Sequence, residues 1–344
     1  MSSSVPIKNV YNMLVYAFEV LNSKEYERLN KEDCDDIYNL LSSLLICGTG
    51  SLIKRGLLKN YVSQTEELTA IRGRVDIGTS VSRLSFQNAK AVCNFDEFST
   101  NILFNQVLKM TFIYLSRKPL QRNIKRDVSK LLLHFHEIDN INISAIKWDS
   151  FTFNRINAHY DTLLYFCRLV CEDAIANQNI GRKNFRTIEE NLLPKLFERF
   201  IFEFYKKHLP YPVSAGRQIK WKSDDTDMLP KMKSDTMILS DKTKLIIDTK
   251  FYSKTLQSNR FSDNQTVISS HLYQIFAYVK NEKVIGAVND VKGMLLYPQV
   301  DIPVKKSYRI DGNFFYIQTI DLNQEFECIK SELLAIYENA KLCE

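Results

Sequence analysis

The sequence predicts a multidomain α+β protein, in which a mainly helical N-terminal region with a small β subdomain precedes a C-terminal α/β core. Two observations lead to this class. Apolar residues recur at helical spacing through most of the first half of the chain. The last third instead alternates helices with short apolar strands, a pattern typical of a mixed sheet flanked by helices.

The chain has 344 residues, enough for two or three domains. We place the main boundary near residue 180, in the polar stretch ANQNIGRKNFR, and divide the chain into residues 1–180 and 181–344. Ten glycines and eight prolines are few for this length, so the domains are expected to be joined closely rather than by a flexible linker.

The N-terminal region opens with an amphipathic helix whose apolar face carries Ile7, Val10, Tyr11, Leu14, Phe18 and Leu21. LLSSLLICGTGSLIKRGL then predicts a helix pair broken at Gly48 and Gly50. Strands are predicted where Ile71, Val75 and Ile77 alternate in TAIRGRVDIGTSVSR. Three helical stretches follow: NILFNQVLKMTFIYLSR, KLLLHFHEI and YDTLLYFCRLVCEDAIA.

The C-terminal region begins with a helix, LLPKLFERFIFEFYKKHL, and continues with an apolar hairpin over residues 234–252. A helix (TVISSHLYQIFAYVK), two strands (GMLLYP and NFFYIQTIDL) and a terminal helix (ECIKSELLAIYENA) complete it. This order predicts an α/β core in which a mixed sheet is flanked by helices.

Composition narrows the class of protein. Hydrophobic residues make up 45% and charged residues 25%, as in ordinary globular proteins. No apolar run approaches the roughly 20 residues of a membrane span, so no membrane partner is expected. The seven cysteines form no CxxC pair, which argues against a zinc site or a disulfide framework. A reducing cytoplasm is the expected location.

The positive charge of the chain is concentrated around the hairpin. Between Lys206 and Arg260 there are twelve Lys and Arg residues against six Asp residues, a surplus equal to the net charge of +6 of the whole chain. Such a surplus suits a polyanion such as DNA, whose phosphates release counterions when they are neutralised. A solvated lysine-rich surface explains it equally well.

The hairpin sequence SDTMILSDKTKLIIDTKFY carries a carboxylate at the outer end of each arm. With the turn centred between residues 241 and 242, Asp235 and Asp248 face one another, at about 5 Å between directly opposed Cβ atoms. Lys250 projects from the same face, since side chains alternate with period two. Two carboxylates and an ammonium group are thus predicted to meet at the open end of the hairpin.

Two carboxylates this close repel one another unless a cation lies between them. Mg²⁺ prefers oxygen ligands, and it lowers the pKa of bound water and stabilises charge on a phosphoryl group. A lysine beside it is able to orient the attacking water. The alternative is an exposed hairpin whose Lys–Asp pair serves solubility.

Two helices contribute further candidates. Glu198 interrupts the apolar face of LFERFIFEF and is placed to reach the metal from beside the sheet, although a solvent-facing glutamate is an equally simple explanation. Gln274 and Tyr278 in HLYQIFAY are four residues apart and share a helix face. They are expected to contact the DNA backbone or to orient the catalytic groups, while nearby His271 is interpreted as structural or as a phosphate contact.

These residues together resemble the PD-(D/E)XK nuclease superfamily, with SD in place of the usual PD. The resemblance extends to the McrC family, the nuclease subunits of McrBC-type, modified-cytosine-dependent restriction systems. It rests on VPIKNVYNMLVYAF, IRGRVDIG, FDEFSTNILFNQVLK, MLPKMKSDTMILSDKTKLIIDTKFY, HLYQIFAYV, LLYPQVD and CIKSELLAIY, and so covers most of the chain.

The resemblance implies a site and two partners. Asp235, Asp248 and Thr249 are the expected ligands of Mg²⁺, with Mn²⁺ as a possible substitute, and Lys250 is the expected catalytic lysine. Glu198, Gln274 and Tyr278 complete the expected catalytic set. The partners implied are double-stranded DNA carrying modified cytosine and an McrB-like AAA+ GTPase ring, onto which residues 1–180 would dock.

This chain has no nucleotide-binding motif of its own, since GTGSLIKRG fails the G-x-x-x-x-G-K-[ST] pattern. Nucleotide hydrolysis is therefore expected on the partner.

Three alternatives remain open. The first is a stand-alone DNA repair nuclease of the RecB type, which shares the Q-x-x-x-Y helix. The second is a non-catalytic adaptor that activates an AAA+ ring. The third is a metal site formed by His134, His136 and Glu137 in HFHE, which would require a strand where the flanking sequence predicts a helix.

Overall fold

The computed structural model describes residues 5–18, 36–178, 188–240, 243–252, 256–259, 262–285, 290–300 and 302–342. The chain divides into two compact units. Unit I comprises residues 1–22, 31–33 and 189–344, and unit II comprises residues 23–30 and 34–188. The boundary expected near residue 180 lies outside the described residues. The first helix, α1 (Ile7–Ala17), belongs to unit I and not to the N-terminal region in which the sequence placed it.

Unit II combines helices with a three-stranded antiparallel sheet of order β1-β3-β2. Its elements in chain order are α2 (Ile37–Arg55), β1 (Asn60–Leu68), β2 (Arg74–Val75), α3 (Ile77–Ser82), β3 (Ala91–Ser99), α4 (Leu103–Ser116), α5 (Arg122–Leu132) and α6 (His159–Gln178). The predicted helical region with a small β subdomain is confirmed.

Two local predictions in unit II are wrong. The expected helix pair is one continuous helix, α2, which runs through Gly48 and Gly50 because burial of its apolar side chains outweighs the low helix propensity of glycine. The expected strand around Ile77 is the start of helix α3 instead. Asp76 caps this helix by accepting a hydrogen bond from the Thr79 N–H.

Unit I is built on a mixed sheet of six strands, ordered β12-β13-β11-β8-β7-β4. Its elements after α1 are α7 (Ile188–His208), β4 (Val213–Ala215), β5 (Gln218–Ile219), β6 (Met232–Lys233), β7 (Thr236–Leu239), β8 (Thr243–Thr249), β9 (Leu256–Asn259), β10 (Ser262–Val267), α8 (Ser269–Ile285), β11 (Asp290–Pro298), β12 (Lys305–Ile310), β13 (Asn313–Ile320) and α9 (Phe326–Leu342).

The central strand β11 runs parallel to both β8 and β13, while the remaining strands of the sheet pair antiparallel. The mixed sheet flanked by helices is therefore confirmed. The sequence did not reveal the short strands β4, β5, β6, β9, β10 and β12, because two to six residues are too few for a recognisable alternation.

Helix α1 packs into unit I through a buried polar anchor and an aromatic contact. The buried Asn9 donates hydrogen bonds from Nδ2 to the carbonyl oxygens of Leu322 and Gln324, at 2.8 and 2.9 Å. The Tyr16 ring lies 5.6 Å from the Phe200 ring in an edge-on contact. These contacts explain why α1 folds with residues that follow it by about three hundred positions in the chain.

Helix α8 lies against the face of the sheet that carries the candidate site, and a glycine sets how closely it approaches. At Gly293 on β11, an added Cβ would lie 2.8 Å from Val279 Cγ2 and 2.9 Å from Ile275 Cγ1, both on α8. The missing side chain thus lets helix and strand come into direct van der Waals contact.

Among the described residues, α2 alone is long and apolar enough to pass a length-and-composition test for a membrane span. The core helix of a folded protein passes the same test, and 56% of this helix is buried inside the structure.

We expect Gly293→Ala to destabilise unit I by about 1–3 kcal/mol, because the new methyl group overpacks the contact between β11 and α8. Gly50→Ala is the matched control. It lies inside α2 with no atom within 4 Å of the added Cβ, so a gain of up to about 1 kcal/mol is expected. Scanning calorimetry of the two variants checks this pair. Equal unfolding temperatures would contradict the packing role of Gly293.

Candidate functional site

The hairpin of β7 and β8 brings the two predicted aspartates together. Its register pairs Thr236 with Ile247 and Leu239 with Lys244, and the Ser240 N–H closes the turn on the Thr243 carbonyl at 3.0 Å. One step beyond Thr236, the same register places Asp235 opposite Asp248. The predicted hairpin and its pairing are confirmed. Both residues lie at the carboxyl end of β8, beside the parallel strand β11.

Asp248 is a buried carboxylate that its surroundings compensate only in part. Its residue is 1% exposed. The Lys250 Nζ lies 2.8 Å from Oδ2 and forms an ion pair with that oxygen. Among the described residues, Oδ1 has no hydrogen-bond partner. A buried carboxylate oxygen in this state requires a cation or a donor from outside the chain.

Asp235 is held in place by the strand opposite. Its Oδ2 accepts two hydrogen bonds from Thr249, one from the main-chain N–H and one from the hydroxyl, both at 2.8 Å. The two hydrogen bonds together fix the position of this one carboxylate oxygen. The Thr249 hydroxyl, which belongs to a predicted metal ligand, is thus committed to Asp235.

Lys250 is positioned by a chain of side chains on α8. Its Nζ donates to Gln274 Oε1 at 2.8 Å, and Gln274 Nε2 donates to the Tyr278 hydroxyl at 2.8 Å. Because Tyr278 takes a bond from the amide nitrogen, the amide oxygen of Gln274 faces the lysine. The structure therefore joins the predicted Q-x-x-x-Y residues to the predicted lysine through direct hydrogen bonds.

The electrostatics of the site reflect the crowding of its carboxylates. Burial raises the pKa of Asp248 to about 6, and Asp235 adds to the rise while Lys250 opposes it. Burial disfavours the charged form of Lys250, yet its contact with Asp248 outweighs this and raises the lysine pKa. The ammonium group thus stays charged, but one cation does not offset two adjacent carboxylates.

Glu198 on α7 stands at the edge of this group. Its residue is exposed, but the surrounding protein desolvates the carboxyl enough to raise its pKa to about 7, with the charge of Asp235 as the second cause. Asp235 and Asp248 both act on it electrostatically, so Glu198 lies near the pair.

Three rings lie beside the site: that of His271, which the sequence placed nearby, and those of Tyr252 and Tyr297. The buried His271 shares a 3.0 Å hydrogen bond between Nδ1 and the Tyr297 hydroxyl, and its ring lies 4.9 Å from that of Tyr252. Tyr297 is one strand away from Lys250, following the register that pairs Leu296 with Thr249. The parallel pairing of β8 and β11 carries no local sequence signal, so Tyr297 was not foreseeable.

A second buried charge pair lies on the same sheet face. Lys244 on β8 and Glu282 on α8 form a hydrogen-bonded ion pair in which both side chains are nearly inaccessible, and Arg217 Nη2 lies 3.8 Å from Glu282 Oε1.

The donor set at Asp235 and Asp248 fits a hard divalent cation. It offers carboxylate oxygens from adjacent strands, and within the described part of the chain the buried Asp248 Oδ1 has no hydrogen-bond partner. Within the described ranges, no group of three or more His, Cys, Asp or Glu side chains forms a preassembled metal cluster. In HFHE, His134 lies in a helical turn rather than a strand, and the exposed His136 pairs with Glu137 at 3.5 Å.

A family model and a curated relative both connect this chain with McrBC restriction systems. The family described as "McrBC 5-methylcytosine restriction system component" matches residues 7–298. The "Type IV methyl-directed restriction enzyme EcoKMcrBC" of Escherichia coli (strain K12) is 28% identical over 342 residues, which are 97% of each chain.

Among solved structures, a half-complex from a tetradecameric assembly of Thermococcus gammatolerans McrB AAA+ hexamers with bound McrC matches with a TM-score of 0.53 at 16% identity. The match covers 97% of this chain and 76% of that one, and it supports the fold. Since the family match spans most of the sequence, this chain belongs to the McrBC 5-methylcytosine restriction system component family.

Proposed function

We propose that this chain is the nuclease subunit of a methylcytosine-dependent restriction complex, which hydrolyses phosphodiester bonds of DNA with Mg²⁺, or Mn²⁺ in its place, in the cytoplasm. The observation that carries the proposal is the junction of Asp235, Asp248 and Lys250 at the end of β8, where the buried Asp248 Oδ1 has no hydrogen-bond partner among the described residues. Such a group suits a divalent cation and a phosphodiester better than it suits a structural role.

In this proposal Asp235 and Asp248 hold the cation, and Thr249 contributes a main-chain oxygen because its hydroxyl is bound to Asp235. The bound ion would activate water and offset charge on the phosphate. Lys250 holds two contacts, Asp248 and Gln274, and its third N–H is available to orient water or to contact the phosphate. Glu198 accepts a proton or orients water at the rim of the site.

We assign partner binding to unit II. The exposed rings of Tyr61 on β1 and Phe98 on β3 are directly paired across the strands, with centroids 5.3 Å apart. They are 70% and 57% exposed. Paired exposed aromatic rings are typical of protein interfaces. The relative from T. gammatolerans is bound to McrB AAA+ hexamers, and we propose an McrB-like AAA+ GTPase ring as the partner here.

The similarity to the E. coli enzyme covers 97% of the chain and therefore includes unit II. A stand-alone repair nuclease of the RecB type would leave that unit without a function. An adaptor without catalytic activity would leave the buried Asp248 carboxylate without a function.

We expect isothermal titration calorimetry to detect Mn²⁺ binding to the wild-type chain and to lose it in Asp248→Asn, because a buried ligand oxygen is replaced by an amide nitrogen that repels the cation. Mn²⁺ should also raise the unfolding temperature of the wild type by mass action. Asp149→Asn, an exposed carboxylate in unit II, is the control and should bind as the wild type does. Identical titrations of all three proteins would remove Asp248 from the metal site.

The proposed activity is tested by incubating methylated and unmethylated plasmid with this chain, Mg²⁺ and GTP or ATP, with and without its AAA+ partner. We expect cutting to need the partner, nucleotide and methylation. Asp248→Ala should lower cutting by at least about a thousandfold, and Lys250→Ala should slow it while sparing metal binding.

Each departure from that result favours a different function. Cutting by the lone chain without regard to methylation would favour the repair nuclease. Stimulation of the partner's nucleotide hydrolysis without cutting, equal in the wild type and Asp248→Ala, would favour the adaptor.

The double variant Tyr61→Ser, Phe98→Ser should weaken binding to the AAA+ ring by at least about tenfold, because it removes two adjacent aromatic contacts. Ile156→Ser, which changes a 78% exposed side chain elsewhere in unit II, is the matched control. Pull-down and stimulated GTP hydrolysis measure the effect. An unchanged affinity would place the interface elsewhere.

A further inference from the structure

A second lysine stands beside the candidate site. Two short ladders follow one common register near the site. In the first, β4 pairs with β7 and Ala215 faces Thr236. In the second, β5 pairs with β6 and Gln218 faces Lys233. The bonds from Gly216 N–H to the Ser234 carbonyl, at 3.0 Å, and from Ser234 N–H to the Arg217 carbonyl, at 3.2 Å, connect the two ladders. The two ladders together place Gly216 beside Ser234 and Asp235 of the facing strand.

The Lys233 side chain occupies the space that Gly216 leaves empty. A Cβ at Gly216 would lie 2.8 Å from Lys233 Cε and 3.3 Å from its Nζ. Gly216 also adopts φ +63°, a conformation that side chains disfavour. The lysine, two residues before Asp235, therefore bends along the strand so that its ammonium group reaches the level of the aspartate.

Lys233 is exposed, although its neighbours Met232 and Ser234 are buried. Over the ranges that the structure describes, no hydrogen bond or ion pair engages its ammonium group. Its charge acts on Glu198 more strongly than that of Lys250 does. An exposed, uncommitted ammonium group beside a carboxylate cluster is free to bind an anion.

The charge balance of the site favours a phosphodiester as the anion. Asp235, Asp248 and Glu198 contribute three negative charges when ionised, and Lys250 contributes one positive charge. A divalent cation brings this group to neutrality, and a phosphodiester then adds one negative charge. One further positive charge is needed to neutralise the loaded site, and Lys233 supplies it.

We propose that Lys233 is a substrate-binding residue that contacts a phosphate oxygen of the DNA backbone at the site of Asp235 and Asp248, in the space that Gly216 provides. This rests on the proposed nuclease function and adds a second cation to it. Lys250, which is mostly buried and held by Asp248 and Gln274, serves the reacting group, while Lys233 secures the strand at the rim.

The test compares Lys233→Gln and Lys233→Arg with Lys220→Gln, each assembled with the AAA+ partner. Lys220 is an exposed lysine of the same region and provides the matched control. We expect Lys233→Gln to lower kcat/KM for plasmid cleavage about ten- to a hundredfold, mainly through KM. The arginine variant should recover most of this loss. In Ca²⁺, the slope of log affinity for DNA against log salt should become shallower by about 0.9 in Lys233→Gln and remain unchanged in Lys220→Gln.

A glutamine variant that matches Lys220→Gln in both KM and salt slope would overturn the proposal. An arginine variant as impaired as the glutamine variant would overturn a role based on charge. If the wild type cuts and its cutting depends on Asp248, these outcomes concern Lys233 alone. If the wild type does not cut, the proposed function fails, and the salt slope still reports whether Lys233 contacts phosphate.

Discussion

Two carboxylates face one another across a hairpin, and much of unit I serves to hold them there despite their repulsion. Thr249 donates two hydrogen bonds to Asp235 and so fixes the position of that carboxylate. On the other side, Asp248 is buried next to a single ammonium group, so its pKa is raised. The strain of this arrangement is tolerable because the two strands lie inside a six-stranded sheet that cannot separate them.

Helix α8 connects this pair to the rest of the unit. Gln274 and Glu282 lie eight residues apart on the helix. Gln274 binds Lys250, which directly follows β8, and Glu282 binds Lys244 on β8. Gly293 lets the helix approach the sheet between these two attachments. The buried pair of Lys244 and Glu282 contributes little net stability because both charges are desolvated. It instead ties α8 to β8, and α8 carries the amide that binds the proposed catalytic lysine.

The sequence predicted which side chains meet at the candidate site better than it predicted the topology around them. The symmetric spacing of Asp235 and Asp248 about the turn was sufficient to predict their pairing, because a two-residue hairpin determines its own register. The link from Lys250 to Gln274 was not visible, since it depends on how a helix packs on a sheet. Tyr297 was missed for a related reason: it reaches the site through the pairing of β11 with β8, which are distant in sequence. At Gly48 and Gly50, the low helix propensity of glycine led to the wrong prediction of a helix break. The helix continues there because burial of its apolar side chains outweighs that propensity.

The anchoring of α1 has a consequence for how the protein is made. Asn9 bonds to Leu322, which lies 313 residues later in the chain. Unit II is therefore an insertion between the first helix and the remainder of unit I, and it is complete on the ribosome while unit I still lacks its sheet. A fragment starting at residue 189 would expose the apolar surface that α1 covers. The unit that carries the candidate site is therefore the last to be synthesised in full, and the unit to which we assign partner binding precedes it.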